Sequence, residues 1–398
     1  MKKILALAFL PYWKGGKQTS GLATGIFDLH DAVNSLHGQY EVVLACTDVN
    51  TEEKMVDSTK VIGWNSKLLL RHCLKKFYRL PRFFRKSLYL RNKYQYPFSK
   101  TFVKALFLDY AIEREMPNAI HFHGITNAYY VELLWNNRLP AILRLHGMNG
   151  YNDTVPGYLN YRKKEKDVIT LPYKMVTFIS EKNRSDWGKY YGGFNCPTRV
   201  VLNGYNSSLF FYKEEDNNIQ KKYDLITIAA IDRNKGQERV IEALRILKEQ
   251  GREFSYLIIG TGRDEYVEQL KESVNKYNLD VTFLPHCSQE KLRDFLIKSR
   301  YFIMPSAAEG FGKVFIESLA CGIPVILPQS LPIVDEHILD HTNSVLLEDE
   351  KSKSIVSTLL LIGTYELCSA AVISQSVSRL SWNNIGKQYC DNYLNNGI

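Results

Sequence analysis

Short apolar runs ending in glycine, polar or histidine residues alternate along this chain with segments whose apolar residues recur at helical spacing. Strands buried on both faces read as continuous apolar runs, so the alternation predicts parallel sheets covered by helices. In the first half the expected strands are Ile4–Phe9, Glu41–Cys46, Ala119–Phe122, Ala141–Leu145, Met175–Ile179 and Arg199–Leu202. A polar stretch within Asn206–Tyr223, containing the run KEEDNNIQKK, then intervenes. The pattern restarts with Leu225–Ala230, Tyr256–Ile259, Val281–Leu284, Tyr301–Met304, Pro324–Leu327 and Ser344–Leu347, with helices such as Glu238–Glu249 and Asp264–Tyr277 between them. Charged linkers are where few contacts cross, so two α/β domains are expected, at 1–205 and 206–380.

The length of 398 residues agrees, being too great for one ordinary core. The apolar run from Ile4 to Leu10 follows two lysines, as in a secretory signal. Pro11, Tyr12, Trp13 and Lys14 stand where small cleavage-site residues would be needed, so a buried first strand is the expectation. No apolar stretch is long enough to span a bilayer. The seven cysteines are scattered, without CxxC or Cys/His metal spacing, which points to a reducing compartment and to no structural metal. A cytoplasmic location, with peripheral contact at the inner face of the membrane, is expected.

Charge adds a feature that periodicity does not show. The net charge of +9 is uneven: residues 1–200 hold 30 Lys/Arg against 16 Asp/Glu, and the remainder 21 against 26. Between Ser58 and Leu108 there is no acidic residue, while Lys67, Arg71, Lys75, Lys76, Arg79, Arg82, Arg85, Lys86, Arg91 and Lys93 crowd among Leu68, Leu69, Leu74, Phe77, Tyr78, Phe83, Phe84, Leu88 and Tyr89. Two readings stand. One is a basic amphipathic helix or helix pair against anionic headgroups or a lipid-linked acceptor, carried by Lys75, Lys76, Arg79, Arg82, Arg85 and Lys86; the other is a solvated basic face. Nucleic-acid binding would rest on charge alone, since no recognised nucleic-acid module surrounds the segment.

The segment MPSAAEGFGKVFIESLACGIPVILP concentrates the candidate chemistry. Met304 closes a strand, Pro305–Lys313 is a loop, Val314–Cys321 is helical, Gly322 follows the helix, and the next strand begins by Ile323. The loop then lies at the carboxyl edge of a parallel sheet, where open α/β folds bind ligands. The backbone N–H groups about Gly312 and Lys313, at a helix N-terminus, suit a diphosphate. Glu309 in the loop and Glu317 in the helix can face one site, although an acid in the first turns also complements the helix dipole.

Glu309 and Glu317, with seven residues between them within EGFGKVFIESLACGIPVI, resemble the E-x7-E signature of glycosyltransferase family 4 and its relatives. VVLNGYNSSLF, LIIGTGRDEYVEQLK, VTFLPHCSQEKLRDFLIKSRYFIMPS and SWNNIGKQYCDNYL resemble further family segments in order, so the resemblance covers nearly the whole chain. It implies a GT-B fold, two Rossmann-like doubly wound parallel-sheet domains facing a central cleft, with a final helix at about 381–398 returning to the first domain. It also implies a retaining, metal-independent enzyme that takes no cofactor and moves a hexose from a nucleotide sugar, expected to be a UDP-sugar. The acceptor would be a glycan or lipid-linked sugar in surface-polysaccharide or lipopolysaccharide-type assembly.

Carried over residue by residue, the resemblance places Glu309 on hydroxyls of the donor hexose and Glu317 on the ribose. Gly310, Phe311, Gly312, Lys313 and Val314 would lie along the sugar and diphosphate. Gly16 falls in the glycine loop after the first strand, and His146 of LRLHG falls beside the transferred sugar, although strand-end histidines are also common as structural residues. Lys235 stands at the family's diphosphate lysine. The usual arginine position is Ala230, and Arg233 is the candidate replacement. No D-x-D occurs, in keeping with metal-independent chemistry in which cations stabilise the leaving diphosphate. The alternatives are a nucleotide-sugar epimerase of the same fold, and a non-catalytic partner subunit, which would have no need of both acids.

Overall fold

The computed structural model describes residues 1–17, 21–128, 130–131, 139–148, 150, 157–336 and 338–394; the last four residues of the expected closing helix lie outside these. The chain divides into two compact units, one of Met1–Asn203 with the segment from Trp382 onward, the other of Gly204–Ser381.

The first unit is built on strands β1 (Lys2–Ala8), β2 (Tyr40–Cys46), β3 (Lys54–Val56), β4 (Thr59–Gly63), β5 (Ala119–His123), β6 (Ala141–Leu145), β7 (Met175–Phe178) and β8 (Thr198–Val200). They form one sheet in the order β3-β4-β2-β1-β5-β6-β7-β8. Every pairing is parallel except β3 with β4. The run that resembled a signal sequence is β1, and its residues Ile4–Ala8 are buried between β2 and β5. β3 and β4 had no counterpart among the expected strands. They are short, and Lys54 and Lys60 punctuate them, as charges do on edge strands that must not pair further.

The basic residues from Lys67 to Lys93 fall on or between a pair of helices, Ser66–Lys75 and Leu80–Tyr94, joined through a short turn at Phe77–Arg79, and the helix Phe98–Glu115 follows. The Asn65 side chain caps the first by accepting from the N–H groups of Lys67 and Leu68. The expected apolar face is divided: Leu69 and Phe83 enter the core beneath the sheet, while Leu74, Phe77, Tyr78, Phe84, Leu88 and Tyr89 face outward.

The second unit carries β9 (Tyr223–Ile228), β10 (Tyr256–Ile259), β11 (Val281–Leu284), β12 (Ser299–Ile303), β13 (Val325–Pro328) and β14 (Ser344–Leu347). The order is β11-β10-β9-β12-β13-β14, parallel throughout. The chain moves outward from β9 to β10, then crosses to β12 on the other side. The β9/β12 boundary is therefore a topological switch point, and the loops after these two strands diverge from adjacent carboxyl ends, the usual ligand crevice of an open α/β sheet. In the first unit β1 and β5 form the corresponding boundary.

Candidate functional site

In the second unit the loops after β9 and β12 are stitched together at the switch point. The Asn234 side chain donates to the carbonyl of Ala308 (2.9 Å) and accepts from the Ala308 N–H (3.0 Å), while the Asn234 carbonyl accepts from the Ala307 N–H (2.9 Å). The Arg239 guanidinium spans the same seam, donating to the carbonyls of Pro305 (2.7 Å), Arg233 (3.0 Å) and Asn234 (3.2 Å). Gly236 lies beneath it at φ +79°, and a Cβ there would stand 2.5 Å from Arg239 Nη2 and 2.7 Å from the Pro305 oxygen. Across this seam Lys235 Nζ meets Glu309 Oε1 at 2.5 Å, an ion pair between residues 74 apart in sequence, with both side chains mostly enclosed. Arg233 is exposed, and its guanidinium lies 5.9 Å from the Tyr266 ring.

The loop after β12 ends at Gly312, whose φ of +82° makes it the cap of the helix Lys313–Ala320. Left-handed backbone favours glycine, and a Cβ here would also stand 2.5 Å from the Phe315 ring. The first N–H groups of an α-helix have no intrahelical partner and carry the positive end of its dipole, so the turn at Lys313 and Val314 is suited to an anionic ligand. Phe311 is buried and anchors the loop from below. Glu317 is almost fully buried, with Oε1 3.2 Å from Lys313 Nζ one turn earlier. Each of the two acids thus has a lysine partner, Glu309 with Lys235 and Glu317 with Lys313.

The carboxyl end of the first sheet bears a histidine cluster. His121 and His123 project from the same side of β5, ring centroids 4.4 Å apart, with His30 of the helix Gly21–Ser35 packed edge-on against both. His123 Nε2 lies 2.8 Å from His30 Nε2, and His123 Nδ1 lies 3.0 Å from Nε2 of His146, which follows β6. His121 Nε2 stands 3.1 Å from the Tyr389 hydroxyl, itself 2.9 Å from Thr177 Oγ1, so this histidine ties β5 to the closing helix. Burial and the enclosed Arg144 guanidinium both disfavour protonation: His30 is pushed down to about 3, and His121, His123 and His146 lie well below the ordinary imidazole range. Ligand atoms of His30, His121 and His123 all lie within 4.8 Å of one another, the one grouping among the described residues with the reach to hold a metal ion. No carboxylate stands among these three, and Arg144 places a cation nearby.

Gly16, in the loop after β1, is required by its own fold: a Cβ there would stand 1.9 Å from the Leu10 carbonyl oxygen. Of the six basic residues singled out for headgroup contact, Arg82 and Lys86 are not without partners, and Arg79 and Lys76 make ion pairs within the unit. Arg79 bonds Asp109 (3.0 Å) and Glu113 (2.7 Å), and Lys76 bonds Glu113 (3.0 Å). Asp109 and Glu113 lie on the following helix, just past the acid-free stretch, where a count confined to that stretch does not register them. His30, Asn234 and Arg239 were not among the residues expected from sequence. His30 sits in an apolar helical stripe, and the other two act through backbone contacts that no motif encodes.

Residues 211–364 match the family described as Glycosyl transferases group 1. An uncharacterized glycosyltransferase of Methanocaldococcus jannaschii is 28% identical over 266 residues, covering 64% of this chain and 68% of that protein. The amylovoran biosynthesis glycosyltransferase AmsK of Erwinia amylovora is 30% identical over 186 residues, 44% of each chain. Among solved structures, the sucrose-phosphate synthase of Thermosynechococcus elongatus superposes with a TM-score of 0.73 at 16% identity over 99% of both chains. The Anabaena protein HepE in complex with UDP and glucose superposes with a TM-score of 0.72 at 16% identity over 99% of this chain and 100% of that one. The structural likeness shows the GT-B fold, and the matched domain with its sequence relatives shows a transferase of the glycosyltransferase class.

Proposed function

We propose that this enzyme moves a hexose, with retention of configuration and without a metal, from a UDP-sugar to a glycan or lipid-linked acceptor in surface-polysaccharide assembly. The observation that carries the reading is the seam at the β9/β12 switch point, where the Lys235–Glu309 pair lies beside the helix N-terminus at Gly312–Val314. In this reading the Lys313 and Val314 N–H groups, Lys235 and Arg233 receive the diphosphate. Glu317 accepts from the ribose hydroxyls and Glu309 from the hexose. Lys235 passes from holding Glu309 to neutralising the departing phosphate, whose oxygen takes the acceptor's proton as the new glycosidic bond forms on the face the phosphate leaves. His146 and Gly16 are assigned to the sugar and phosphate sides of the same donor. The complex of HepE with UDP and glucose supports UDP as the first nucleotide to try. The part that AmsK takes in amylovoran biosynthesis supports the polysaccharide setting.

The acceptor is placed with the first unit, next to a lipid surface. The outward-facing Leu74, Phe77, Tyr78, Phe84, Leu88 and Tyr89 support this, because such side chains surrounded by Lys75, Arg82, Arg85 and Lys86 suit an anionic interface. No described helix is long and apolar enough to cross a membrane.

A thermal-shift screen against UDP, GDP, ADP and their common sugars, repeated with Glu317→Ala, tests the donor site. A ligand that binds only the folded state raises its stability. Stabilisation by uridine nucleotides that the variant loses is the expected result. No shift with any nucleotide at saturation would overturn the reading, and an altered nucleotide sugar released without acceptor would replace it with epimerisation.

A further inference from the structure

We propose that His30 is a positioning residue which, acting through His123, holds the His146 proton on Nδ1, so that His146 meets the transferred sugar as a hydrogen-bond donor. The inference rests on the placement of His146 beside that sugar. His30 itself lies in the interior and meets no donor under that placement.

The two contacts of His123 determine the argument. Its Nε2 lies 2.8 Å from His30 Nε2 and its Nδ1 3.0 Å from His146 Nε2. A neutral imidazole has one N–H and one acceptor nitrogen, and each nitrogen–nitrogen contact needs one proton and only one. The three neutral rings therefore admit two arrangements. In the first, His146 donates from Nε2 to His123, His123 donates from Nε2 to His30, and the His30 proton is left on Nδ1. In the second, His30 donates from Nε2 to His123, His123 donates from Nδ1 to His146, and the His146 proton is left on Nδ1.

The environment of His30 separates them. His30 is fully buried, and its Nδ1 has no hydrogen-bond partner among the described residues. The first arrangement would strand a buried N–H there, whereas the second leaves only an unused lone pair, the commoner and milder defect. The second arrangement therefore holds, with the polarity of the chain set at its buried end. His30 and His123 are enclosed while His146 is half-buried, so the row delivers its last N–H at the ring that reaches the protein surface. Such a group holds a hydroxyl oxygen of a hexose and cannot take a proton from one.

Selective ¹⁵N labelling of histidine reads the tautomer of each ring without any substrate. The expected result is a His146 proton on Nδ1 in the wild-type protein. In His30→Leu, which cannot donate, the tautomer inverts or becomes mixed. In His30→Gln, whose amide N–H reaches the Nε2 position, it returns to Nδ1. With donor and acceptor supplied, kcat in His30→Leu falls about tenfold, the loss of one hydrogen bond. Its uridine-nucleotide thermal shift stays unchanged, and His30→Gln recovers most of the rate. A wild-type His146 protonated on Nε2 overturns the proposal, as does a His30→Leu spectrum with the tautomer unmoved. Should the leucine variant not fold, the wild-type spectrum decides alone. Stoichiometric metal in the purified protein, or displaced His30, His121 and His123 signals on adding Zn²⁺, overturns it in favour of an ion site. If the tautomers come out as expected while no sugar is transferred, the transferase assignment of His146 fails and the hydrogen-bond chain stands.

Discussion

Acidification from pH 7.5 to 5.5 removes a large part of the stability of the first unit, and three buried histidines set the size of the loss. His30, His121 and His123 are enclosed and held neutral when folded, His30 down to about 3 and the other two well below their ordinary range. In the unfolded chain each titrates near 6.5. Below that value the unfolded state binds more protons than the folded one, so the contribution is fully present above pH 6.5 and declines as pH falls. At pH 5.5 each histidine costs on the order of 1 kcal/mol, and the three together a few kcal/mol, against a typical total of about 5–15 kcal/mol. Glu113, Glu115, Asp340 and Asp349, whose carboxyls are held below their ordinary values, lose their contributions only at lower pH and leave this window to the imidazoles. Urea unfolding followed by tryptophan fluorescence isolates the effect, because all five tryptophans fall within residues 1–203 or at Trp382. An unfolding midpoint that does not move across the window would refute the reasoning.

Two further outcomes are expected. Gly312→Ala combines a left-handed backbone with a Cβ 2.5 Å from the buried Phe315 ring, so it should cost the second unit about 2–4 kcal/mol and abolish the nucleotide thermal shift; circular dichroism during urea unfolding checks this, since tryptophan does not report on that unit. Leu74→Ser with Phe77→Ser alters side chains about 70% exposed, so the melting temperature should stay put while affinity for vesicles rich in anionic lipid falls at least tenfold; unchanged sedimentation with such vesicles would assign this face to solvent.

The parallel core was legible because strands such as Ile4–Ala8 and Tyr256–Ile259 are apolar on both faces, which leaves a continuous signal. The edge pair β3 and β4 was not, because only part of it is buried and charged residues interrupt its pattern. Within the candidate site, Glu309, Gly312 and Glu317 share one local segment whose spacing can be read directly. The partnership of Glu309 with Lys235 depends on β9 and β12 being neighbours, which no local pattern reveals. The basic stretch illustrates another limit: its lysines and arginines are plain in the sequence, yet Asp109 and Glu113 return from the next helix to engage Lys76 and Arg79.

The closing helix gives the chain an unusual order of assembly. The Tyr389 hydroxyl meets His121 and Thr177, and Gly386 comes so near the helix Gly21–Ser35 that a Cβ would stand 3.1 Å from the Ala32 backbone. The first unit therefore waits for residues synthesised after every part of the second. As the chain leaves the ribosome, the unit that begins first is finished last, and a nascent chain stopped before Trp382 presents an intact second sheet attached to a first whose buried His121 and Thr177 lack their common partner.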